Sequence, residues 1–118
     1  MTRALAVFTV GLGRHRVRVR LLPSVHDVDA EFRAGKRRRD GTWTHAFFRP
    51  AAAGSRVVGT IALPGNGRLT ELVPHESTHC VMHLRQSVHV VADEPLATDI
   101  GLLTARIFDG LRRRGYGL

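Results

Sequence analysis

The stretch RVVGTIALPGNGRLTELVPHESTHC, residues 56–80, decides the fold. Arg56 to Leu63 is rich in β-forming residues, and Pro64-Gly65-Asn66-Gly67 is a strong turn signal. From Thr70 to Arg85 the pattern turns helical, with Leu72, Val73, Val81, Met82 and Leu84 spaced for an apolar face. Thr70 fits an N-cap. Pro74 falls within about the first turn, where its missing N–H costs little. A strand therefore feeds directly into a helix.

Toward the N-terminus the chain reads as strands. Ala4 to Val10 is an apolar run, expected to be buried on both faces. His15 to Leu22 alternates, with Val17, Val19 and Leu21 on one face and Arg16, Arg18 and Arg20 on the other. Gly11-Leu12-Gly13 between them predicts a hairpin. Ser24 caps a short helix over Val25 to Ala34, stopped by Gly35. A charged turn, Lys36 to Asp40, is closed by Gly41. Thr42 to Arg49 is a third strand, ended by Pro50. Toward the C-terminus a second long helix runs from about Asp93, its N-cap, to Arg113, with Gly115 past its end and Arg112–Arg114 where the dipole favours cations. The order gives an α+β class: a small, antiparallel-rich sheet of about four strands followed by two packed helices, with one short helix inside the sheet region.

The 118 residues form one domain, 1–118, long enough for a core. No apolar run approaches a membrane span, so no membrane partner is expected. The lone cysteine, Cys80, forms no internal disulfide and reads as a small buried hydrophobe, and a cytoplasmic setting is expected. The net charge is +8, and 17 of the 18 basic residues are Arg. Such a surface attracts polyanions, or else reflects a GC-rich coding genome.

The first long helix carries His75-Glu76-Ser77-Thr78-His79, an HExxH pattern. Residues four apart project from one helix face, the spacing two imidazoles need to meet one Zn²⁺ at roughly 2.0–2.1 Å each. Glu76 can take a proton from a metal-bound water and pass it to a leaving amine. Seven His and four Glu make a chance match uncommon, roughly 0.01–0.02 per chain by composition alone.

A catalytic zinc site needs a third protein ligand. Arg85 occupies the position where a metzincin would have its third His. His83 is one turn further on the same face, and a straight helix does not wrap three turns around one ion. Glu94 is the leading candidate, because Ala97, Gly101 and Ala105 form a small-residue stripe below it that would let the two helices approach. Asp93 and His89 are the alternatives. Asp99 reads as a surface carboxylate, or as a partner orienting a liganding His.

The segments Pro74 to Cys80 and Asp93-Glu94-x-x-Ala97-x-x-Ile100-Gly101-x-Leu103-Thr104 resemble small HExxH proteins encoded by bacteriophages and prophages, similar to minimal gluzincins. The resemblance covers about Val73 to Leu111. Thr98 stands where such proteins commonly carry an aromatic residue. The resemblance implies Zn²⁺ with Glu94 as third ligand, a metallopeptidase acting on a peptide or protein substrate, and a bacterial host cytoplasm or a phage as its place.

Tyr116, His45 and His89 are candidates to stabilise an oxyanion. The strand Arg56–Leu63 is the expected edge for an extended substrate. The rival class is a non-catalytic basic binding protein with a structural metal, using Arg14, His15, Arg16, Arg18 and Arg20 on nucleic acid or on a phage or host protein. That face lacks the aromatics of a single-strand binder, and a solvated strand face is the plainer reading.

Overall fold

A computed structural model describes residues 3–34, 42–85 and 94–116. The elements run β1 (Ala6–Leu12), β2 (His15–Leu22), α1 (Val25–Arg33), β3 (Phe47–Pro50), β4 (Gly59–Pro64), α2 (Leu69–Arg85) and α3 (Glu94–Arg113). This is the expected α+β architecture. The expected turn at 35–41, the His89 loop and the Asp93 cap lie outside the described residues.

The sheet has the order β1-β2-β4-β3. β1 pairs antiparallel with β2, β2 parallel with β4, and β3 antiparallel with β4. The parallel pair forms because α1 and β3 intervene between β2 and β4 and provide the long crossover that a parallel connection needs.

The strand reading needs three corrections. The strand expected over Thr42 to Arg49 is confined to Phe47–Pro50, with 42–46 outside it. The first strand is not buried on both faces. Phe8, Val10 and Leu12 are buried, while Val7 and Thr9 are exposed, because β1 is an edge strand covered on one side only. The strand expected as the substrate edge, Arg56–Leu63, is β4, and it lies inside the sheet between β2 and β3. Its unbroken run Ile61-Ala62-Leu63 is fully buried, as a strand covered on both faces should be. The free edge beside α2 is the shorter β3, and its terminal Pro50 suits an edge position.

Alternation divides the apolar residues between two cores. Phe8, Val10, Val17, Val19, Leu21, Ile61 and Leu63 face α2 and α3, where Val73, Cys80, Val81, Leu103, Ile107 and Leu111 meet them. On the opposite face Leu22, Phe47 and Ala62 pack with Val28 of α1. Ser24 caps α1. Its Oγ accepts from the Asp27 N–H at 3.2 Å and donates to the Asp27 carboxylate at 2.7 Å.

The helix pairing departs from expectation. Ala97, Gly101 and Ala105 are exposed, and a Cβ added at Gly101 would meet nothing. The buried stripe of α3 is instead Leu96, Leu103, Ile107 and Leu111, with Ile100 partly buried. Large apolar residues outweigh small ones in choosing the inward face, because they remove more area from water. Close approach occurs at Gly110, where a Cβ would collide with the Phe8 ring of β1.

Candidate metal and hydrolytic site

α2 lies over β4 and the β3 edge, and its motif follows from that seat. Val73, Glu76, Ser77, Cys80 and Val81 point inward, so His75 and His79 are left on the outer flank, both exposed. Pro74 is the sixth residue of α2 rather than a first-turn residue. Its missing N–H therefore leaves the Thr70 carbonyl without its usual helical donor one turn before His75. The Pro74 carbonyl accepts from Thr78 Oγ1 at 2.8 Å.

The Nε2 atoms of His75 and His79 are 3.1 Å apart, with ring centroids at 4.8 Å and an edge-on arrangement. An ion roughly 2.0–2.1 Å from both would subtend an angle of about 100°, near tetrahedral. The pair thus fits two corners of a zinc site. Without an ion, the same distance is a hydrogen bond between one protonated and one bare nitrogen.

Glu76 lies beneath them at 4 % exposure, with Oε2 4.0 Å from His75 Nε2. Burial raises its carboxyl above the ordinary value. His75 and His79 oppose that rise, as does a hydrogen bond from the Phe48 backbone N–H. Phe48 belongs to the edge strand, so the acid is held against the free edge of the sheet. The Cys80 thiol is pushed up to about 12 by burial, which suits the apolar role expected of it.

A groove of about 440 Å³ runs along the site. His75, Glu76, His79 and His83 form one wall, and Thr44, Ala46, Phe48, Pro50 and Phe32 form the other. His83 rests on the Phe48 ring with centroids 5.6 Å apart. Asp29, almost fully buried, accepts from the Thr44 N–H at 2.9 Å and from Arg33 Nε at 2.7 Å, tying the second wall to α1. Phe32, Phe48 and Pro50 were not among the expected site residues. Adjacent Phe47 and Phe48 in a strand must face opposite ways, so one of them had to lie under α2.

The remaining candidates are dispersed. Tyr116 donates to the Leu5 carbonyl at 3.3 Å, next to β1 rather than the groove. His45 is exposed and does not line the groove. Asp99 forms a surface ion pair with Arg85 at 2.5 Å, so the surface reading holds. Glu94 supplies the first residue of α3, and its side chain lies outside the described residues. The Arg85–Asp99 pair marks where the two helices lie side by side. His79 is six residues before Arg85, about 9 Å along the axis, and Glu94 is five before Asp99. Because the helices run antiparallel, that register carries the Glu94 backbone beyond the C-terminal end of α2, further from His79 than Asp99 is. Among the described residues no three His, Cys, Asp or Glu side chains converge as a metal cluster, and no helix is long and apolar enough to cross a membrane. Compared with protein-family models, with curated proteins and with solved structures, the chain gives no match.

Proposed function

We propose that the chain is a small zinc-dependent hydrolase of the metallopeptidase type. The observation that carries this reading is the pairing of two exposed imidazole nitrogens, 3.1 Å apart, above a buried carboxyl. His75 and His79 hold the ion, and Glu94 is the third ligand nominated by the sequence. Zn²⁺ bound there supplies a Lewis acid and lowers the pKa of water toward neutrality.

The rest of the chemistry belongs to the chain. Glu76 takes the proton of the attacking water on its carboxylate and returns it to the leaving amine. Burial raises its affinity for a proton, the direction that favours its use as a base. The β3 edge offers main-chain groups to an extended peptide, and Phe32, Phe48 and Pro50 offer apolar contact. Exposure of both histidines favours a reactive site over a closed structural one. The bacterial host cytoplasm or a phage is the proposed setting.

The test is zinc stoichiometry in the wild type and in His75→Ala, His79→Ala and Glu94→Ala. About one zinc per chain is expected, lost in either His variant. Retention by both His variants would sink the site. Unchanged stoichiometry in Glu94→Ala would remove Glu94 alone and leave the two-histidine site standing.

A further inference from the structure

The sheet face turned away from α2 and α3 is only partly covered. α1 lies over the end where Leu22, Phe47 and Ala62 pack with Val28. Beyond α1 no described element covers the face. One row of the register crosses all four strands, with Thr9, Arg18, Thr60 and Arg49 side by side in β1, β2, β4 and β3. Arg16 stands on the same face two residues along β2, roughly 7 Å from Arg18. Arg16, Arg18 and Arg49 are exposed. His15 does not belong to this face. It lines a cleft on the other side with Arg14, Val81 and Leu84.

Among the described residues the charge of the face is compensated at one end only, where Glu31 of α1 pairs with Arg20. The four strands contain no Asp or Glu. The acids of α1 are engaged away from Arg16 and Arg18: Glu31 with Arg20, Asp29 with Arg33, and Asp27 with Ser24. Among the described residues neither Arg16 nor Arg18 meets a carboxylate, and Arg49 donates to the Phe32 carbonyl at 2.9 Å.

We propose that this face docks on the phosphate backbone of a nucleic-acid duplex, without reading base sequence. Planar guanidinium forks match phosphate oxygens, and the Thr9 and Thr60 hydroxyls between them add donors of the kind that position a protein on a backbone. The nearest rings, Phe32 and Phe47, sit beneath the Arg49 guanidinium at 5.8 and 4.8 Å. Phe47 is buried and Phe32 lies half-exposed beside the guanidinium, so among the described residues the Arg row borders one exposed ring rather than the successive rings on which a single strand stacks. A duplex has the charge density that rewards a row of cations.

The test is fluorescence anisotropy of a labelled random-sequence duplex across a potassium chloride series, with a chelator present so that the metal site plays no part. Three phosphate contacts predict a log–log salt slope of about −3. Arg16→Glu/Arg18→Glu should weaken binding about tenfold or more and flatten the slope by about two. Arg68→Glu/Arg112→Glu makes the same charge change on other surfaces and should leave most of the binding in place. Arg16→Gln/Arg18→Gln, which avoids charge reversal, should show the same loss in a milder form. Equal losses in the two Glu double variants would reduce the effect to net charge and overturn the proposal. Tighter binding of a single strand, or of phosphatidylserine vesicles, than of the duplex would overturn it as well.

Discussion

The buried carboxyl of Glu76 lies 4.0 Å from the exposed Nε2 of His75, so one residue step along α2 separates a group sheltered by the sheet from one open to solvent. Burial raises the proton affinity of Glu76 in the folded chain above that of an ordinary carboxyl. The folded state then holds the proton more tightly than the unfolded state. The resulting stability is fully present below the ordinary carboxylate range and is lost as pH rises through the folded value. Gln has no such titration. In chelator-treated protein, Glu76→Gln should therefore be more stable than wild type at neutral pH, and the gap should shrink as pH falls toward 4. Thermal melts across that range check this. A gap that grows on acidification would contradict the sign.

Asp29 holds the far wall of the groove by accepting from the Thr44 N–H and the Arg33 guanidinium from a nearly fully buried position. Asp29→Ala leaves both donors without that acceptor. It should cost about 2 kcal/mol in urea unfolding and speed amide exchange at Thr44. Protection at Thr44 equal to wild type would show that the wall is held by something else.

Gly59 of β4 sits under the edge strand. A Cβ there would lie 2.5 Å from the Phe48 ring and 2.6 Å from the Arg49 carbonyl. A ring can turn away, but a ladder carbonyl moves only with its strand. Gly59→Ala should therefore destabilise by roughly 1–3 kcal/mol. It should also lower any hydrolytic activity, because displacing β3 disturbs the Phe48 N–H that faces Glu76. Full activity at reduced stability would separate β3 from the chemistry.

Cys80 is fully buried and its thiol is pushed up to about 12. At pH 8 a disulfide reagent should leave it unmodified in the native protein and label it in urea. Rapid native labelling would mean that α2 opens next to the motif.

Local patterns in the chain led to the right elements wherever one pattern dominated. The alternation of Val17, Val19 and Leu21 with Arg16, Arg18 and Arg20 reads directly as β2 with one covered face, and 75–79 reads as one helix flank. Neighbour relations were harder to read. The continuous run at 61–63 was itself the mark of an inner strand, yet its position just before α2 suggested an edge. In α3 the small residues 97, 101 and 105 suggested contact, while Leu96, Leu103, Ile107 and Leu111, at near-heptad spacing, held the burial. The groove wall from Thr44, Phe48 and Phe32 depends on where the β3 edge and α1 come to rest, which no local periodicity encodes.

The most direct measurement of the central claim is hydrolysis of casein or a peptide library by the zinc-loaded wild type and zinc-loaded Glu76→Gln. The account predicts turnover by the wild type and a loss of about 100-fold or more in the variant, with zinc retained by both. Equal hydrolysis by the two would contradict Glu76 as the base. Zinc bound by both with hydrolysis by neither would contradict the enzyme reading and leave the metal a structural role.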